Sequence, residues 1–266
     1  HLVADDEQRL AGVVGALFGA GRLDGADASV DLRRVFALRE IRTGFVGKGL
    51  PAEHQQVGGI PADLPVPKQS PLFMGFASGF GRNQATEAQV TIPSGPFAGG
   101  TTMHVSRIEL SLDDWYGVLD ERERVARMFG PQVTPSDVAR FTDDAPSHPE
   151  LLDQAARRYG VVGHAQAAAQ ARRGTRPVII RRDFDSVDGG RALVHFVAVH
   201  RTIDDFVQTR KAMNAARASA LSPSVGLQVN NGINEWMNVT SRANFVVPPR
   251  RLRSFPLMPG IESARA

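Results

Sequence analysis

The stretch from Pro177 to His200 restricts the fold more than any other part of this 266-residue chain. Pro177-Val178-Ile179-Ile180-Arg181-Arg182-Asp183-Phe184 is rich in β-branched residues and reads as a strand. Gly189-Gly190 follows as a turn, and Ala192-Leu193-Val194-His195-Phe196-Val197-Ala198-Val199 repeats the strand composition. Glycine tolerates the positive φ of a hairpin turn, so these two runs pair antiparallel. With helical segments on both sides, the chain falls in the α+β class, with antiparallel sheets and helices on one face.

Other elements follow from periodicity. Leu10, Val13, Val14, Leu17 and Phe18 recur at helical spacing behind a cap at Asp5 or Asp6. Val35 to Ile41 reads as a strand, and Gly47 to Pro71 as a long surface loop. Thr101 to Leu112 alternates as a half-buried strand, Thr102, His104, Ser106 and Glu109 opposing Met103, Val105, Ile108 and Leu110 with one slip. Helices are predicted from Trp115 to about Met128 behind Asp113 or Asp114, from Thr134, over Pro149 to Tyr159, and over Asp204 to Ala218. A short helix over Asn230 to Trp236 and a last strand over Asn244 to Val247 complete the order. That order suits two related halves, residues 1–130 and 131–266.

The absence of cysteine removes disulfides, zinc–thiolate sites, iron–sulfur clusters and thiolate nucleophiles, leaving His, carboxylates and backbone oxygens for any metal. No apolar run approaches the roughly 20 residues that span a bilayer. A net charge of +3 with scattered basic residues gives no stripe of Lys/Arg interleaved with aromatics, so no nucleic-acid partner is expected.

Three segments carry candidate chemistry. His164 lies between Gly160-Val161-Val162-Gly163 and Ala165-Gln166-Ala167-Ala168-Ala169, small residues that leave room for a large flat ligand. A neutral imidazole there suits a metal such as haem iron, and a core histidine in an Ala-rich helix is the alternative. Arg181 and Arg182 are adjacent in a strand, so they face opposite ways. Either one points inward and needs an anionic partner, or the strand is an edge with one wet face. Phe73-Met74-Gly75-Phe76-Ala77-Ser78-Gly79-Phe80-Gly81 is a Gly-rich loop that lets backbone approach a ligand closely. It fits neither a phosphate loop nor the G-x-S-x-G of serine hydrolases. His195 and His200, five apart in a strand, face opposite ways and form no metal pair.

Taken together, the order of these segments resembles the dye-decolorizing peroxidase superfamily. That superfamily has a G-x-x-D-G segment led by aromatic residues and glycine, then a Val-Arg-Arg-Ile-Arg-like strand and a helix starting near Trp. Here Phe73 to Gly79 precedes Thr101-Thr102-Met103-His104-Val105-Ser106-Arg107-Ile108-Glu109-Leu110 and Asp114-Trp115. A proximal His before an Ile-Leu-Arg-Arg/Asp strand is matched by His164 before Ile179-Ile180-Arg181-Arg182-Asp183. Leu-Asn-Glu-Tyr and Ser-Ala-Leu-Phe-Ala-Val-Pro-Pro are matched by Ile233-Asn234-Glu235-Trp236 and by Ser241 to Pro249. The likeness runs from about residue 2 to 249. His1-Leu2-Val3-Ala4-Asp5-Asp6 resembles an internal strand of the superfamily, so a preceding strand and helix are expected in a longer product.

The resemblance implies two ferredoxin-like halves and a haem b held by His164 as iron ligand. Arg181 and Ser78 are the implied catalytic residues, and Gly75, Phe76, Ala77, Ser78, Gly79, Phe196 and Phe245 the implied lining. It implies peroxide and a small organic molecule as substrates and a homo-oligomer, and leaves twin-arginine export and a cytoplasmic location both open. Ser78 stands where the superfamily has its acid, and a hydroxyl cannot act as general base near working pH. Glu87 or Asp183 is a candidate replacement. Peroxide-dependent oxidation and haem binding or carriage with little peroxidase activity are the two activities this leaves, beside a structural ferredoxin-like protein without cofactor.

Overall fold

A computed structural model describes residues 6–20, 31–34, 36–38, 40–56, 59–64, 66–76, 84–138 and 150–252. The chain divides into two compact units, His1–Thr43 with Arg250–Ala266, and Gly44–Pro249. In the first, Asp6 caps the helix Glu7–Gly15 by accepting from the Arg9 N–H at 2.7 Å. The described residues of the stretch expected as a strand over Val35 to Ile41 form none.

The second unit is built on one four-stranded sheet. Its strands are β1 (Thr101–Leu110), β2 (Ile179–Ser186), β3 (Leu193–His200) and β4 (Met237–Val247). Helices α1 (Leu112–Gly117), α2 (Glu121–Met128), α3 (Glu150–Tyr159) and α4 (His164–Ala168) lie between β1 and β2. Helices α5 (Ile203–Met213) and α6 (Ala216–Leu221) lie between β3 and β4. The spatial order is β2-β3-β1-β4, with every neighbouring pair antiparallel. This β-α-β-β-α-β order is the ferredoxin-like arrangement. A two-stranded ribbon, Arg172–Arg173 with Arg176–Pro177, stands apart from it.

The sheet takes β1 from one side of residue 130 and β2 to β4 from the other. The helices after β1 return the chain to the same sheet, and the compact units divide at 43/44 and 249/250.

Local sequence explains most boundaries. On β1, His104, Ser106, Ile108 and Leu110 are all buried, so the alternation runs without a slip. The irregularity lies in β4, where Arg107 faces Ser241 and Ile108 faces Val239, leaving Thr240 as a bulge. The helix expected from Trp115 to Met128 is two. Leu112–Gly117 ends in glycine, and Asp120 restarts the chain through a capping box with Glu123. The helix expected to reach Ala218 breaks at Ala215, which has φ +48°.

The main core joins sheet and loop. Trp115 and Trp236 meet edge-to-face at 5.1 Å between centroids. Trp115 donates to the Met74 carbonyl at 3.1 Å and Tyr116 to the Phe73 carbonyl at 2.6 Å, which fixes the start of the Gly-rich segment. No helix among the described residues is long and apolar enough to cross a membrane.

Candidate functional site

Direct partners in an antiparallel sheet share a face, so the register defines rows across the floor of the site. One row runs Asp183, Phe196, Ser106, Arg242. The next holds Arg181, Ala198, His104, Asn244, and the one on the other side holds Asp185, Val194, Ile108, Val239. Helix α5 covers part of this face, its Phe206 ring stacked on His104 at 3.6 Å. Beside it lies a cavity of about 680 Å³, within the size range of small-molecule and cofactor sites. His164, Arg181, Asp183 and Asp185 line it, with Met74, Phe76, Phe129 and Phe196 among its apolar walls.

His164 is the first residue of α4, and glycines set its position. A Cβ on Gly163 would lie 2.3 Å from the Gly130 nitrogen and the Phe129 carbonyl carbon. A Cβ on Gly232 would lie 2.8 Å from the His164 Cα and nitrogen. The backbone around His164 therefore packs at distances only glycine permits. Burial, and secondarily the Arg181 charge, lowers the imidazole to about 4, so the ring is neutral at working pH. Its Nδ1 is enclosed and has no hydrogen-bond partner among the described residues. A neutral imidazole with an unspoken-for nitrogen in a large cavity is suited to ligating a metal.

Strand β2 presents Arg181, Asp183 and Asp185 to the cavity at a period of two, while Arg182 is exposed on the opposite face. Burial raises the Asp183 carboxyl, partly offset by Arg181 and Arg182, and leaves its Oδ1 without a partner among the described residues. Asp185 is pushed up to about 8 by burial, even though its Oδ2 accepts from the Phe73 N–H. The Asp185 carboxyl is therefore largely protonated at neutral pH.

These shifts give stability a pH dependence. Asp185 binds its proton in the folded state from about 4 to about 8 while the unfolded chain has lost it, so stability falls as pH rises through that window. His164 and His200, both lowered to about 4 by burial, act the other way, and stability rises with pH between about 4 and 6.5. Above pH 6.5 only the carboxyl slope remains. Asp185→Asn is expected to remove much of the fall in denaturation midpoint between pH 6.5 and 8; an unchanged slope would reject this assignment.

The expected site residues do not all converge. His164, Arg181, Phe76 and Phe196 line the cavity. Gly75 sits just outside its lining, between Met74 and Phe76, with φ +89°, and a Cβ there would lie 2.9 Å from the Tyr116 hydroxyl. Ala77, Ser78 and Gly79 lie outside the described residues. Phe245 is not in the cavity. It pairs with Met103 and is half exposed on the opposite face, because Arg242 and Asn244 take the cavity-side face after the Thr240 bulge. Glu87 is exposed on a short helix, whereas Asp183 lies in the cavity. His195 and His200 do face opposite ways, and no group of residues among those described could hold a metal by itself. Asp185, Arg210 and Arg242 also line the cavity. Spacing alone could have found Asp185, two residues beyond Asp183.

Residues 1–249 match the model of a family of unknown function, DUF7405. The chain belongs to that family. No curated protein matches this DUF7405 sequence. Its structure is similar to the dye-decolorizing protein of V. cholerae, at 17% identity and TM-score 0.43, over 66% of this chain and 51% of that one. It is similar to a DypB variant of Rhodococcus jostii RHA1 in complex with heme, at 14% and 0.47, over 70% and 55%. It is also similar to a dye-decolorizing peroxidase of Bacteroides thetaiotaomicron VPI-5482, at 16% and 0.43, over 67% and 51%. The DUF7405 chain thus spans about half the length of each of these structures.

Proposed function

We propose that this DUF7405 protein binds haem b in the cavity through His164 and uses peroxide to oxidise a small organic substrate. The observation that carries this reading is the convergence of His164, neutral and with a nitrogen unspoken for, and Arg181 on one large cavity. The cavity lies beside His164 among the described residues, and its apolar walls suit a flat aromatic ligand. Haem, when bound, supplies the redox chemistry of peroxide reduction.

The chain's own residues do the rest. The Arg181 guanidinium holds a fixed positive charge where negative charge develops on peroxide oxygen. Asp183, two residues along the same face, holds and moves the proton at Oδ1, the role that Ser78 cannot take. Asp185 anchors the Gly-rich segment through the Phe73 N–H.

Titration with hemin tests the reading. Wild type is expected to give a Soret band, and His164→Ala to bind more weakly by on the order of 100-fold, at least as much as losing an outer-shell partner costs. A wild-type protein that gives no Soret band would reject it. Ser78 in place of an acid favours a second reading, haem binding or carriage with little peroxidase activity. Dye turnover by the hemin-loaded protein decides between them, and turnover that Arg181→Leu abolishes rejects the carrier.

A further inference from the structure

We propose that Arg210 and Arg242 form a subsite for an organic carboxylate at the β4 edge of the cavity. Arg242 lies directly across the β1–β4 pair from Ser106, and both line the cavity. Arg210 projects into the same cavity from α5, one helical turn beyond the Phe206 that stacks on His104. Burial, and secondarily the Arg242 charge, disfavours the charge on Arg210.

Neither guanidinium makes a hydrogen bond or ion pair with any described residue. The cavity's carboxyls stand at the other edge of the sheet. Asp183 and Arg242 share a row but are separated by three strand spacings, roughly 14 Å. Two neighbouring like charges without a counter-charge repel, and a bound anion relieves that repulsion. The guanidinium fork matches a carboxylate bidentately.

His104 bonds to Asn244 Oδ1 through Nδ1 at 2.7 Å and to the Ser106 oxygen through Nε2 at 2.5 Å. Asn244 Oδ1 only accepts, so on a neutral ring His104 Nδ1 carries the proton and Nε2 takes the Ser106 O–H, which leaves the ligand's carboxylate to the two arginines. The apolar walls between the two edges specify the body of the ligand. It is an apolar molecule carrying its carboxylates at one end. Two sources share that chemistry, the propionates of haem, which rests on the function proposed above, and a separate aromatic acid.

Paired acid and ester probes distinguish them. Wild type, Arg210→Gln, Arg242→Gln and the double variant are titrated with hemin and its dimethyl ester, following Trp fluorescence and the Soret band. A parallel series uses 1-naphthoate and its methyl ester, without hemin. If propionates occupy the subsite, wild type prefers hemin to the ester by roughly 10- to 100-fold, and the double variant loses that preference with its Soret position unchanged. If a separate acid occupies it, the same pattern appears with naphthoate while hemin and its ester bind alike. Equal affinity for acid and ester in both series overturns the proposal, as does an acid preference that survives in the double variant. The wild-type comparison needs no variant to fold. The naphthoate series remains decisive even if hemin fails to bind.

Discussion

Replacing Arg181 with leucine is expected to slow peroxide-dependent dye oxidation by the hemin-loaded protein about 10²- to 10³-fold, the usual cost of removing one preorganised charge-stabilising group. Arg181 is only 8% exposed, and its backbone is held by β3 on one side and by Gln84 Oε1 at 2.7 Å. The guanidinium is therefore delivered by backbone held on both sides, with little reorganisation left to make during reaction. Leucine keeps much of the apolar bulk but removes the charge, so the hemin affinity set by His164 should change little. The charge also bears on the imidazole, because Arg181 is the second cause of the lowered His164 value. The variant should accordingly raise the His164 pKa in the haem-free protein, which NMR titration of the imidazole would read. Unchanged turnover in a variant that still holds hemin would remove Arg181 from the chemistry.

Asp183 makes a contrasting case on the same strand. Asparagine there keeps shape and hydrogen bonding but cannot exchange a proton, so it should cost about 10²- to 10⁴-fold and alter the pH profile. Arg181→Leu lowers the rate but keeps the Asp183 titration, moved to higher pH because the Arg181 charge no longer offsets its burial. The two variants therefore separate a fixed charge from a mobile proton.

Much of this arrangement was legible in sequence where short-range rules govern it. The β2–β3 hairpin follows from β-branched runs around Gly189-Gly190, and β1 from its alternation. The opposite facing of Arg181 and Arg182 is a consequence of strand geometry alone. Strand β4 was visible only from Asn244 onward. Its first half, Asn238, Thr240, Ser241 and Arg242, carries little apolar alternation because it forms a sheet edge with one side wet. The Thr240 bulge then shifts which residues face inward, which is why Phe245 was expected in the cavity and Arg242 was not. Arg242 meets Ser106 only through a register between residues 136 positions apart, and no local pattern encodes that pairing.

The glycines beside His164 allow a sharper test of how the site is held. Gly163→Ala adds one methyl group, yet its carbon would sit 2.3 Å from two backbone atoms and 2.5 Å from the Phe129 carbonyl oxygen. Backbone cannot rotate away as a side chain can, so either α2 and its following turn or α4 must move. Overpacking of this kind costs about 1–3 kcal/mol, and more where the contacts are backbone. The residue displaced with α4 is His164, which Gly232 presses from the other side. Hemin affinity should therefore fall together with the chemical-denaturation midpoint. Gly12→Ala is the opposite case, since Gly12 lies in the helix Glu7–Gly15 and a Cβ there meets nothing within 4 Å. That substitution should be neutral or stabilise by about 0.4–1 kcal/mol through the unfolded chain, with hemin affinity untouched. If Gly163→Ala left both stability and hemin binding at wild-type values, the close packing around His164 would not be what positions it.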